Sequence, residues 1–294
     1  MRNWREDFKL HWLLVLLFLL ALGTGFVTAR YLLPRTPGSS LSGPPETKPS
    51  PGPAPLLPPS GPKPPPNYKA ALGIIIDDAG GNEDLLKKFL GLGIPLTISF
   101  LPEYRGTAEQ ARLTVAEGKE AFLHLPMEPE NPEMARNYPG MIMTGMTPAQ
   151  IEELVRRHLE RVPGAAGVNN HEGSKATADQ AVMKVVLSVL KEKGLPFVDS
   201  RTSAHSVAYK VAREMGVPAG ENQVFLDNEK IVEKIKGQLR LAARLALKRT
   251  SPASLPGLIA IGHLHPATLE ALAETIGEIQ QMGVTFVPAR QLTK

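Results

Sequence analysis

The order of apolar and polar positions divides the chain into three stretches. From Leu10 to Ala29 the residues are almost wholly apolar, with no Asp, Glu, Lys or Arg. Twenty residues rising about 1.5 Å each reach roughly 30 Å, the thickness of a bilayer's hydrocarbon core. Residues 34–66 show no apolar periodicity and hold 14 of the chain's 28 prolines, with Gly and Ser between them. Such a stretch lacks the backbone donors for helix or sheet and predicts an extended polyproline spacer, on the order of 100 Å long. From about residue 68 to 294, short apolar runs alternate with longer helical patterns.

That alternation predicts strands at 71–76, 95–101, 121–123, 165–169, 196–199, 223–226, 257–262 and 284–287. Helices are predicted at 83–92, 107–117, 147–161, 176–193, 206–215, 229–249 and 267–282. Thr147-Pro148-Ala149-Gln150 reads as a helix start, with Thr as cap, Pro in the first turn and Gln closing a capping box. Strands that are apolar throughout, separated by helices, predict a parallel sheet covered by helices. The expected organisation is a stub and membrane anchor at 1–33, a linker at 34–67 and one α/β domain at 68–294.

Arg2, Arg5 and Lys9 precede the apolar stretch and predict a cytoplasmic N-terminus. The expected placement is a single-pass membrane protein with an extracytoplasmic domain. Val27-Thr28-Ala29 is also an acceptable cleavage pattern, so secretion after cleavage is the alternative. The chain has no cysteine, which excludes disulfides, thiolate metal sites, a cysteine nucleophile and a lipoprotein anchor. A formal net charge of +4 with no long basic run argues against nucleic acid as a partner. Aromatic residues make up 5 % of the chain, which argues against an aromatic-lined binding sandwich. No protein partner is legible.

In parallel α/β folds, chemistry gathers beyond the C-terminal ends of the strands. Asp77 and Asp78 follow the first strand. Two adjacent carboxylates suit a base beside a metal ligand, or a helix cap with a solvated neighbour. His124 and Glu128 follow the third strand in His124-Leu125-Pro126-Met127-Glu128-Pro129, where the prolines predict a tight loop. Asn169-Asn170-His171-Glu172-Gly173-Ser174 is a dense polar cluster. Asp199-Ser200-Arg201-Thr202 and Gly262-His263-Leu264-His265 follow later strands. Five of the seven histidines thus fall at one predicted face.

This order of motifs resembles the divergent polysaccharide deacetylase family, relatives of the NodB-like deacetylases, over about residues 70–290. The resemblance implies a distorted (β/α) barrel of about seven parallel strands. It implies Asp77 as base and His263, or else His265, as general acid. It implies a divalent metal ion, zinc or manganese, held by Asp78, His124 and Glu128, with His171 as an alternative ligand. Glu128 stands where the family's second histidine is expected. Asn169, Asn170, Ser174, Asp199 and Arg201 are the expected substrate-binding residues. The implied reaction is deacetylation of a cell-envelope glycan. Two rival readings remain: an inactive glycan-binding or scaffolding module of the same fold, and a metal-dependent phosphohydrolase with Gly80-Gly81 as phosphate grip.

Overall fold

The computed structural model describes residues 68–135, 138, 140–249 and 257–294. The expected membrane segment and proline-rich spacer lie outside the described residues. Among the described residues, no helix is long and apolar enough to cross a membrane.

The strands are β1 (Ala70–Ala79), β2 (Thr97–Phe100), β3 (Glu120–Met127), β4 (Val168–Glu172), β5 (Phe197–Asp199), β6 (Ala219–Phe225), β7 (Gly257–His263) and β8 (Val284–Val287). Every pairing between them is parallel. Between them run α1 (Glu83–Leu90), α2 (Thr107–Ala116), α3 (Pro148–Arg161), α4 (Gln180–Lys193), α5 (Ala208–Glu214), α6 (Val232–Lys248) and α7 (Pro266–Gln281). A short helical turn, Pro132–Ala135, follows β3. The predicted capping box is present: Gln150 N–H donates to Thr147 Oγ1, and Thr147 N–H donates to Gln150 Oε1.

The first seven strands close into a barrel, because β1 pairs with β7 on one edge and with β2 on the other. The length of β1 lets it serve three neighbours. Ala70–Gly73 pair with β8, and Ile75–Ala79 pair with β2 along the same edge.

Alternation along the strands sorts the side chains into two cores. Leu72, Ile74 and Ile76 join the large core shared with the helices. Ile75 instead joins Phe122, Val198, Ile259 and Ile261 in a small cluster inside the barrel. A C-terminal turn, Ala289–Leu292, closes the N-terminal end of the barrel. There Ala289 N–H donates to Thr97 Oγ1, and Arg290 Nε lies 3.3 Å from Glu120 Oε2. With the middle filled by hydrocarbon and that end plugged, the C-terminal mouth is where polar groups can gather.

Several strands run further than their apolar stretches predict. β1 continues through Asp77-Asp78 and β4 through Asn170-His171-Glu172. β3 continues to Met127, where the prolines predicted a tight loop. Pro126 is tolerated because its carbonyl, and hence its nitrogen, faces away from β4: Ile142 N–H donates to Pro126 O over 2.9 Å.

Candidate metal and acid–base site

Adjacent residues on a strand normally point to opposite faces. Asp77 and Asp78 escape that rule through a bulge. The β1–β2 register shifts between Ile76 and Ala79, and Asp78 has a φ of 63°. That left-handed residue turns its carboxylate back to the barrel mouth. Glu172 and Arg201 also have positive φ, of 52° and 57°, at the ends of β4 and β5. Such backbone strain concentrates at functional sites.

His124 on β3 and His171 on β4 meet Asp78. One ligand-type atom from each of the three lies within 4.8 Å of the others. His171 Nδ1 is 3.2 Å and His124 Nε2 3.5 Å from Asp78 Oδ1, and the two ring nitrogens are 3.1 Å apart. Both histidines are buried. Burial disfavours the Asp78 carboxylate, but the two imidazoles outweigh it and hold its pKa well below the usual range.

Asn169 orders this cluster. Its Nδ2 donates to Asp77 Oδ1 (2.9 Å) and to Ser200 Oγ (3.1 Å). Its Oδ1 therefore faces Ser99 Oγ and, at 3.2 Å, His124 Nδ1. In a neutral His124 ring, Nδ1 donating to that amide oxygen would leave the Nε2 lone pair for a metal ion. The donor set fits a divalent metal ion. Two imidazole nitrogens and a carboxylate oxygen converge, and buried Asp78 Oδ1 has no hydrogen bond of its own. Two nitrogens and one oxygen form a softer set than the Asp78, His124 and Glu128 expected from sequence.

Asp77 is buried beside the cluster, its Oδ2 3.6 Å from His124 Nε2. Desolvation raises its pKa, and His124, His263 and the Asn169 amide offset that only in part. Across the β1–β7 ladder Asp77 is the register partner of His263. His263 Nδ1 is 2.7 Å from Asp227 Oδ1, while Asp227 Oδ2 accepts from His263 N–H (2.7 Å) and Thr268 Oγ1 (2.6 Å). Burial opposes the imidazolium, but Asp227 and then Asp77 outweigh it and push the pKa up to about 9. Asp227 is absent from the sequence-derived candidates. The available signal is its position, immediately beyond Phe225-Leu226 at the end of β6.

The other expected residues lie elsewhere in the network. Glu128 does not join the metal-type cluster. Its Oε2 accepts from Thr144 N–H (2.6 Å) and Oγ1 (2.5 Å), and its Oε1 pairs with Lys175 Nζ at 2.7 Å. Burial works against its charge, but Lys175 and Thr144 prevail and lower its pKa. His171 takes the third position instead, because β4 carries it inward two residues after Asn169.

His265 caps α7, its Nδ1 accepting from Ala267 N–H at 3.2 Å. Asn170 accepts from Ser200 N–H at 2.8 Å, beyond β5, and donates within its own strand to Glu172 O at 2.8 Å. Ser174 Oγ accepts from Glu130 N–H at 2.8 Å. Asp199, fully buried, accepts from Arg201 N–H (2.8 Å) and Ser206 Oγ (2.7 Å). The Arg201 guanidinium lies toward Asp199 (3.9 Å) and Glu221 (3.8 Å). Tyr138, which the motifs did not mark, sets its ring edge-on to His171 with centroids 4.4 Å apart.

An uncharacterized protein of Haemophilus influenzae is 31 % identical over 204 residues, which cover 69 % of this chain and 70 % of that protein. The uncharacterized protein YibQ of Escherichia coli is 31 % identical over 221 residues, covering 75 % of this chain and 66 % of that one. The crystal structure of an uncharacterized protein of Agrobacterium tumefaciens shares the fold, with a TM-score of 0.72 at 20 % identity over 79 % of this chain and 92 % of that one. The sequence profile of the divergent polysaccharide deacetylases matches residues 74–293, so it spans every strand from within β1 onward, and the chain belongs to that family.

Proposed function

We propose that the chain is a membrane-anchored, extracytoplasmic, metal-dependent carbohydrate deacetylase acting on an acetylated cell-envelope glycan. The observation that carries this reading is the pairing, in register across β1 and β7, of a buried carboxylate and a raised-pKa imidazole beside a three-ligand cluster.

A divalent ion, zinc or manganese, held by Asp78, His124 and His171 would supply Lewis acidity toward a water molecule and the acetyl carbonyl. Asp77 is the base. Burial raises its proton affinity toward the range a general base needs, and Asn169 holds its oxygens in place. His263 is the acid. Asp227 fixes Nδ1 and leaves Nε2 to deliver a proton to the departing amine or alkoxide. Acetate and a free amino or hydroxyl group on the sugar are the products.

The uncharged stretch from Leu10 to Ala29 supports the anchor, and the proline-rich residues 34–66 support a spacer that lets the domain meet a polymer away from the bilayer. Retention of the full chain in the membrane pellet after alkaline carbonate extraction checks the anchor; release into the supernatant would overturn it.

The reaction is tested by assaying acetate release from N-acetylated chitooligomers and peptidoglycan with zinc or manganese added. Asp77→Asn and His263→Ala are expected to lose about 100-fold or more. Wild-type protein no faster than either variant would refute the catalytic reading and leave the non-catalytic glycan module.

A further inference from the structure

The residues that the sequence motifs offered for substrate binding are held by partners within the protein. An exposed surface without such internal partners is the better candidate for holding the glycan. Among the described residues, the exposed large hydrophobic side chains are Tyr104, Met134, Ile231 and Leu241. Tyr104 is the aromatic one, 42 % exposed, in the loop between β2 and α2.

Its ring lies against Gly80 and Gly81, which follow Asp78 after one residue. A Cβ on Gly80 would stand 3.1 Å from Tyr104 Cβ and Cδ2. A Cβ on Gly81 would stand 3.8 Å from Cζ and 3.9 Å from both Cε1 and Cε2. Near-equal distances to those three atoms place the point above the face of the ring, since a point beyond the ring edge would be nearer Cζ alone. One face of Tyr104 thus rests flat on the glycine backbone, in a residue that is 42 % exposed overall.

The support is rigid. Tyr104 O accepts from Thr107 N–H (3.2 Å), Thr107 Oγ1 donates to Leu101 O (2.5 Å), and Gln110 Nε2 donates to Gly80 O (3.1 Å). Gly80 has a φ of 121°, which a side chain would strain. A flat, preorganised aromatic face beside a catalytic-type cluster suits a ligand that is apolar on its face and polar at its edge. A pyranose ring has that character, with C–H groups on its faces and hydroxyls around its rim.

We propose that Tyr104 is the stacking platform of a glycan subsite next to the Asp78–His124–His171 cluster; the choice of an acetylated glycan as occupant rests on the deacetylase reading. The test uses the full chain in detergent with a chelator present, so that no turnover consumes the probe. Tetra-N-acetylchitotetraose is titrated calorimetrically into wild type, Tyr104→Ala, Tyr104→Phe and Tyr104→Trp.

Tyr104→Ala is expected to weaken binding about tenfold, while Phe and Trp, which keep a flat face, stay within about threefold of wild type. An alanine variant that binds like wild type overturns the platform, as does a phenylalanine variant as weak as the alanine one. Thermal melts report whether each variant folds. Saturation-transfer NMR on the wild type provides a readout independent of any variant. Transfer from aromatic protons to the H1, H3 and H5 face of one sugar is expected; transfer confined to acetyl methyls overturns the proposal.

Acetate release separates the two readings. Tetramer binding that depends on Tyr104 without acetate release keeps the platform and refutes the deacetylase. Acetate release with an unchanged KM in Tyr104→Ala keeps the deacetylase and refutes the platform.

Discussion

His263 Nδ1 lies 2.7 Å from Asp227 Oδ1, so the imidazole at the barrel mouth is oriented and charged by a carboxylate one strand away. His263 is protonated below its raised pKa of about 9 and loses its proton as the pH rises through that value. Proton donation should therefore fail on the alkaline side. In Asp227→Asn the imidazole should titrate nearer the ordinary value of about 6.5, and acetate release at pH 8 should fall about 10- to 100-fold. An NMR titration of the His263 ring and a pH–rate profile check this. The folded pKa exceeds the unfolded one, so the pair's contribution to stability is complete below about pH 6.5 and fades as the pH rises through about 9. An unchanged alkaline limb in the variant would count against this assignment of the acid.

The identity of the third ligand separates His171 from Glu128. Saturating zinc should raise the melting temperature of the wild type, by about 2.7 kcal/mol of stability at 100 times Kd. In His171→Ala that shift should vanish at the same zinc concentration. Glu128→Gln should keep the shift while lowering the metal-free melting temperature, because it breaks the pair with Lys175. The reverse pattern would restore Glu128 as ligand. Differential scanning fluorimetry with and without zinc reads both.

Asn169 links two catalytic-type groups through one amide. Asn169→Leu leaves Asp77, Ser99 and His124 without their buried partner and should cost about 3 kcal/mol or more in urea unfolding. It should also weaken metal binding about 10- to 100-fold, because His124 loses the acceptor that sets its tautomer. Isothermal titration with zinc measures the second effect apart from any activity.

Gly80→Ala tests the backbone behind the Asp pair. Its φ of 121° strains any side chain, and the added Cβ would stand 2.5 Å from Thr107 Oγ1. The expected loss is about 1–3 kcal/mol of stability, read from chemical denaturation. A variant as stable as wild type would show that this turn relaxes freely.

Much of the barrel was legible because its cause is local. The run Ala71 to Ile76 can be buried on both faces in a parallel sheet, and Thr147 to Gln150 carries its own helix start. The strand ends were less legible. Apolar content marks where a strand is buried in hydrocarbon. It does not mark Asp77, His124 or His171, which stay in strand geometry because the mouth of the barrel admits polar side chains.

The candidate site divides in the same way. Asp77, Asp78, His124, His171 and His263 follow or end apolar strands, so their clustering at one face could be read along the chain. Asp227 could not be linked to His263 without the β6–β7 pairing, since 36 residues separate them. Glu128 has the spacing of a ligand, yet Lys175 and Thr144 hold it elsewhere.

By itself the sequence determined the alternation of elements, the face that carries the chemistry and the family, because burial periodicity and ordered motifs are properties of neighbours along the chain. The tertiary structure decided which side chains meet. The bulge that turns Asp78 inward, the ladder that sets His263 beside Asp77 and the flat bed that glycines make for Tyr104 depend on strand register and loop approach, which arise only when distant segments pack.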